Sequence, residues 1–336
     1  EGAVTGASTA LPSGISHVQQ LFEQQVVRSP NATAIVDNQG EISYQNLNAA
    51  ANQLAHYLQQ QGIGHGSRVG ICLPRHRDAM IAILAVIKAG AAYVPIDHNY
   101  PEQRILHIVA EANTQLIICN SATHAQLKVL NLNTLLLDEL NLENYRSENL
   151  TCGRDTRDAL YVIFTSGSTG APKGAELCHQ GEINLLQWYV KDCEFNASSR
   201  VLIISALGFD LTQKNLFAPL VSGGQLILRD MPHYDADAIR QCIAQDQISH
   251  INCAPSAFYP LMEIRIEQLQ SLRHVVLGGE PIQAARFVDW LHSNNACRIT
   301  NHYGPTECTD IALSYSIDNI DEFVKQDIPL GLPNDN

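Results

Sequence analysis

Apolar residues along this chain switch repeatedly between two spacings, and that alternation limits the possible folds more than any other feature. Short apolar runs recur at Val69–Leu73, Leu116–Cys119, Leu160–Phe164, Val201–Ser205, Leu226–Leu228, His250–Cys253 and Val275–Leu277. Each reads as a buried strand. Between them lie helical spacings. Leu47, Ala51, Leu54, Ala55 and Leu58 form one helix face, while Met80, Ile83, Leu84 and Ile87 form another that stops at Gly90, a C-terminal cap. Further helices are expected around 236–245 and 282–292. Strands alternating with helices predict an α/β fold of mainly parallel sheets flanked by helices on both faces. The turn-rich stretch Asn141–Arg157 predicts a boundary between two lobes, 15–150 and 151–336, with elements free to cross between them. Residues 1–14, small and polar, are expected to be a leader or linker.

Composition removes several function classes. The 336 residues carry 21 Lys and Arg against 34 Asp and Glu, a net charge of −13. No basic run exists to neutralise phosphates along a nucleic acid, so no nucleic-acid partner is expected. Nine cysteines are scattered and never spaced as CxxC, which predicts reduced thiols in a cytoplasmic protein, not a zinc site or disulfide framework. No apolar run is long enough to span a membrane.

The most informative stretch is Leu160-Tyr161-Val162-Ile163-Phe164-Thr165-Ser166-Gly167-Ser168-Thr169-Gly170-Ala171-Pro172-Lys173-Gly174. An apolar strand runs into a loop of glycines and hydroxyl side chains closed by a lysine. Gly167, Gly170 and Gly174 let backbone N–H groups turn inward. Thr165, Ser166, Ser168 and Thr169 add hydroxyl donors, and Lys173 adds charge, a combination suited to a polyphosphate. A Walker loop requires Ser or Thr after the lysine, and Gly174 stands there instead. That excludes a P-loop ATPase or kinase reading. Read without context, the stretch also fits a flexible surface turn.

This run resembles the phosphate loop of the adenylate-forming enzymes, and within them the amino-acid-activating adenylation domains of nonribosomal peptide synthetases. Four more segments match in order: Ile42-Ser43-Tyr44-Gln45-Asn46-Leu47, Lys88-Ala89-Gly90-Ala91-Ala92-Tyr93-Val94-Pro95-Ile96-Asp97, Phe209-Asp210-Leu211-Thr212 and Asn301-His302-Tyr303-Gly304-Pro305-Thr306-Glu307. The first two read as structural, a helix entry and a helix cap before a strand.

The resemblance implies ATP and Mg²⁺ as cofactors, and attack of a substrate carboxylate on the ATP α-phosphate with release of pyrophosphate. An ionised carboxylate needs no general base. Lys173, Thr165 and Glu307 are the implied catalytic residues, with Glu307 the ligand to Mg²⁺. Nucleotide contacts are implied for Thr165, Ser166, Gly167, Ser168, Thr169, Gly170, Lys173, Gly279, Glu280, Asn301, Tyr303, Gly304 and Thr306, with Tyr303 stacked on adenine and Asn301 at its amine. The implied amino-acid pocket is Asp210, Leu211, Lys214, Asn252, Val276, Gly278, His302, Asp310 and Ile311. Asp210 would pair with the substrate α-ammonium. Asp210 also suits a helix cap, and His302 and His179 suit ordinary packing.

So polar a lining predicts a polar or charged substrate side chain, because an apolar one would strand Lys214, Asn252 and Asp310. A Lys214–Asp310 ion pair would instead admit a larger or less polar residue. Implied partners are a carrier (thiolation) domain, a condensation domain and a small accessory protein. The match stops near Ile328-Pro329-Leu330-Gly331-Leu332-Pro333, before the family's small barrel and the C-terminal lobe with its catalytic lysine. A fragment without them is expected to turn over weakly or not at all. Two alternatives stand beside this reading: a substrate-binding fragment without turnover, and an acyl- or aryl-CoA ligase relative.

Overall fold

The computed structural model describes residues 6, 9–151, 153, 155–165, 172–231, 233–293 and 296–335. The chain forms two compact units.

The first unit holds Leu11–Ile183 and Ala206–Asp210. It contains helices α1 (Val18–Arg28), α2 (Tyr44–Gln60), α3 (Arg77–Lys88), α4 (Glu102–Glu111) and α5 (Ser121–Val129). Strands β1 (Thr33–Asp37) and β2 (Gly40–Ser43) form an antiparallel hairpin. The remaining strands, β3 (Arg68–Cys72), β4 (Ala92–Pro95), β5 (Leu116–Cys119), β6 (Thr134–Leu136), β7 (Ala159–Thr165) and β8 (Lys173–Cys178), make one sheet in the order β6-β5-β3-β4-β7-β8. Its first five strands are parallel, and β8 closes the edge antiparallel to β7.

The helical spacings hold. Leu47, Ala51, Leu54, Ala55 and Leu58 on α2 are all fully buried, and Ser43 caps that helix by accepting from Asn46 N–H at 3.2 Å. Gly90 follows α3 at φ +89°, a left-handed position that favours glycine.

The expected boundary near residue 150 does not coincide with the division between units. β7 pairs with β4 at Tyr93↔Tyr161 and so extends the first sheet. The polar stretch before it is anchored on α2, where Asn52 donates to Ser147 O at 2.7 Å and Asn48 to Asn149 Oδ1 at 2.9 Å. A stretch rich in turn residues here returns the chain to its own sheet.

Helix α6 (His179–Asp192) leads into the second unit, Asn184–Ser205 and Leu211–Asn336 together with the N-terminal residues to Ala10. There lie β9 (Arg200–Ile203), α7 (Asp210–Ser222), β10 (Gln225–Leu228), α8 (Ala236–Gln245), β11 (His250–Cys253), α9 (Pro255–Met262), β12 (His274–Gly278), α10 (Val288–Ser293), β13 (Arg298–Tyr303), β14 (Leu313–Ile317) and β15 (Leu332–Pro333). These strands run in the order β15-β14-β13-β12-β11-β9-β10, parallel from β10 to β13 and antiparallel at β14 and β15. The helix expected over 282–292 is a 3₁₀ turn at Ala284–Arg286 followed by α10.

From β9 the chain moves one way to β10, then returns to β11 on the other side. In open α/β sheets such a reversal leaves a crevice at the strands' carboxyl ends. The register Asn252↔Val276↔Thr300 and Gly278↔His302 sets Asn252, Val276, Gly278 and His302 on one face there.

In the first unit, Asp37 is buried at the end of β1 and accepts from the backbone N–H and Nε of Arg77, each at 2.9 Å. Burial works against this carboxylate, yet the Arg77 hydrogen bonds hold it below the usual carboxylate range. Asp37→Ala is expected to cost about 3 kcal/mol by leaving Arg77 unpaired, read as a lower urea midpoint; an unchanged midpoint would contradict this anchoring role.

Candidate functional site

Thr165 and Lys173 are cross-strand partners at the end of the β7–β8 hairpin. The loop between them, with Ser166, Gly167, Ser168, Thr169 and Gly170, lies outside the described residues. Lys173 is exposed. A Cβ at Gly174 would come within 2.9 Å of the Phe164 ring, so glycine is needed for close packing at the hairpin base. His107 reaches Pro172 O at 2.7 Å and fixes the returning strand.

In the second unit, a cavity of about 590 Å³ is lined by Gly279, Asn301, His302, Tyr303 and Gly304, with Ile328 and Leu330 among the apolar walls. Tyr303 is half exposed there, with its ring available for stacking. The Asn301 NH₂ donates to Pro329 O at 2.9 Å, which leaves the amide oxygen as an acceptor suited to an amine donor. Gly279, at φ +83°, makes the turn after β12. Glu280, a residue of that turn, accepts from Ser256 N–H at 3.0 Å and Ser256 Oγ–H at 2.9 Å and thereby caps α9.

Thr306 is buried and Glu307 exposed on a 3₁₀ turn, Thr306–Cys308. Among the described residues no group of three His, Cys, Asp or Glu side chains could hold a metal ion. Glu307 would therefore offer a single carboxylate, a donor set that fits Mg²⁺ held mainly by phosphate and water oxygens.

Beyond that turn, Thr309 and Asp310 both take left-handed backbone angles, at φ +58° and +69°. A Cβ on Gly304 would lie 2.4 Å from Asp310 O, so this glycine lets the strained turn close. Its product is a buried ion pair. Lys214, on α7 and only 1% exposed, bonds Asp310 Oδ2, Asn252 Oδ1 at 2.8 Å and Leu211 O at 3.1 Å. Its three N–H bonds have three acceptors.

The network continues outward. Asn252 donates to Val276 O at 2.9 Å. Asn215 donates to Asn252 Oδ1 at 2.8 Å and accepts from the Tyr189 hydroxyl at 2.8 Å. The Lys214 ammonium also sits 5.3 Å from the Tyr189 ring centroid.

Lys214, Asn252, Val276 and Asp310 thus come together as expected, and of the two alternatives for Lys214 the ion pair is the one observed. Gly278 faces His302 in register, Leu211 contributes its carbonyl, and Ile311 is buried beside Asp310. Asp210 is partly buried as the first residue of α7. Asn215 and Tyr189 were not foreseen. One signal existed: Thr212-Gln213-Lys214-Asn215 are four consecutive polar residues, all buried, and buried polar groups come as networks.

The two lone histidines differ. His179 is buried and accepts from Val18 N–H at 3.1 Å, a packing role. His302 is 5% exposed and neither ring nitrogen has a partner among the described residues. Its ring lies 5.5 Å from Trp188 and 5.9 Å from Tyr189, centroid to centroid. Burial, then the Lys214 charge, hold it well below the ordinary imidazole pKa.

The family model for AMP-binding enzymes matches residues 22–335. Gramicidin S synthase 2 of Brevibacillus brevis is 34% identical over 320 residues, covering 94% of this chain and 7% of the synthase. The chain thus spans less than a tenth of that relative's length. Among solved structures, the AMPPNP-bound nonribosomal peptide synthetase FmoA3 aligns with TM-score 0.88 and 25% identity, over 98% of this chain and 35% of that one. The N-terminal subdomain of Klebsiella oxytoca NpsA, in complex with 3-hydroxyanthranilyl-AMSN, aligns with TM-score 0.86 and 25% identity over 95% of this chain and 80% of that one.

Four buried histidines are held neutral. Burial lowers His179 and His302 far, His250 less, and takes His274 to about 3. Unfolded histidines take up protons near pH 6.5 that these do not. Stability is therefore full above that pH and falls as pH drops, by up to about 1.4 kcal/mol per pH unit for each histidine. Urea unfolding at pH 7 and pH 5 checks this; equal stability at both would contradict it.

Proposed function

Because the chain belongs to the AMP-binding enzyme family, we propose that it activates an amino acid as its aminoacyl-AMP, releasing pyrophosphate, for loading onto a carrier domain. The observation that carries this reading is the 590 Å³ cavity walled by Asn301, Tyr303 and Gly304, built by the same strand that bears the His302 side chain. Adenine would lie against Tyr303 and meet Asn301 through its amine. Gly279 would shape that wall, and Glu280 would act through the α9 cap.

The substrate carboxylate attacks the α-phosphorus and pyrophosphate leaves. Lys173, Thr165 and the loop donors Ser166, Gly167, Ser168, Thr169 and Gly170 neutralise the developing phosphate charge. Mg²⁺, when bound at Glu307, supplies further charge neutralisation.

Asp210 would pair with the substrate α-ammonium, a need that an aryl or fatty acid lacks, which favours an amino acid over the ligase alternative. Leu211, Lys214, Asn252, Val276, Gly278, His302, Asp310 and Ile311 would line the side-chain pocket. Its buried hydrogen-bonding groups support a polar substrate.

The synthetase relatives support a carrier domain, a condensation domain and a small accessory protein as partners. The free thiols of the eight described cysteines support a cytoplasmic setting. No described helix is long and apolar enough to cross a membrane.

Amino-acid-dependent ATP–pyrophosphate exchange, paired with thermal unfolding in Mg²⁺–ATP, tests the proposal. Exchange or stabilisation confined to one or two polar amino acids is expected, with at least a tenfold loss of exchange or of ATP affinity in Lys173→Ala. A response only to aryl or fatty acids, or none even to ATP, would overturn it.

A further inference from the structure

The polar network around Lys214 leaves one donor–acceptor group over. All three ammonium hydrogens have acceptors, and Asn252 and Asn215 are bonded to each other, to Val276 O and to Tyr189. His302 stands apart: it lines the cavity, is 5% exposed, and has no partner on either ring nitrogen among the described residues. A native protein rarely buries two such atoms without a use for them.

Space beside the ring is kept open from the neighbouring strand. Gly278 is paired with His302, and a Cβ there would come within 3.0 Å of His302 O and 3.8 Å of His302 Cβ. Trp188 and Tyr189 flank the imidazole and leave its plane little freedom.

A neutral imidazole presents one N–H donor and one bare nitrogen acceptor. Three substrate classes fit poorly. An aliphatic side chain would leave both nitrogens stranded. A substrate carboxylate would enter beside the Asp310 carboxylate, and Lys214 has no hydrogen left for it. A substrate ammonium would face the Lys214 charge.

We propose that His302 is the specificity-determining residue for the substrate side chain, and that it selects a neutral side chain able both to donate and to accept a hydrogen bond, a hydroxyl or carboxamide. This rests on the amino-acid activation proposed above. In it the Lys214–Asp310 pair is a fixed floor and does not bind substrate.

The test is equilibrium binding of 5′-O-sulfamoyladenosine analogues carrying threonine, glutamine, glutamate, lysine and leucine, with adenosine 5′-sulfamate as the nucleotide reference. The wild-type chain is expected to bind the threonine or glutamine analogue at least tenfold more tightly than the leucine, glutamate and lysine analogues. His302→Phe keeps the ring packing and should collapse that ratio to within about twofold. His302→Gln, which retains a donor and an acceptor, should restore part of it.

Tightest binding of a charged or leucine analogue by the wild type, or an undiminished ratio in a folded His302→Phe, would overturn the inference and leave amino-acid activation standing. Failure of the wild type to bind even the nucleotide reference would overturn the activation reading and this inference with it.

Discussion

A lysine that is 1% exposed must have its charge answered where it sits, and much of the second unit's site follows from how Lys214 is answered. Burying an ammonium costs several kcal/mol unless a counter-charge and hydrogen bonds replace its water. Three elements meet that demand: α7 through Leu211 O, β11 through Asn252, and the turn after Glu307 through Asp310. The left-handed backbone at Thr309 and Asp310 is the strain that brings the carboxylate in, and Gly304 is the absence of side chain that permits it.

The network sits where it does because of strand order. The chain reverses between β9 and β11, so the carboxyl end of β11 opens beside a crevice instead of being roofed by its own crossover. Parallel pairing of β11, β12 and β13 then puts Asn252, Val276, Gly278 and His302 on one face. The alternate residue, Tyr303, is left half exposed at the cavity. One strand thereby contributes to a nucleotide wall through Asn301 and Tyr303 and to a polar pocket through His302.

The strands and helices with clean periodicity were legible in the sequence: 116–119 and 250–253 match their observed bounds, as does the helix over 236–245. Periodicity cannot report partners. Nothing in the composition of residues 159–165 says that this strand joins β4, which is why the boundary near residue 150 differs from the observed division. The short strands β14 and β15 carry weak patterns because their residues are mostly half exposed.

At the site, the motif order identified which residues matter, but their bonding was beyond the sequence. Lys214 and Asp310 are 96 positions apart, so whether Lys214 was spent internally or left for a ligand depended on tertiary geometry. Likewise, only burial and the absence of partners distinguish His302 from the packing histidine His179.

The central claim is that Lys214 and Asp310 form one energetic unit within the fold. A double-mutant cycle over Lys214→Met, Asp310→Asn and the double variant, read by urea denaturation, tests it most directly. The account predicts that each single change is destabilising and that the pair couples by about 2–3 kcal/mol. Additivity within about 0.5 kcal/mol would contradict it.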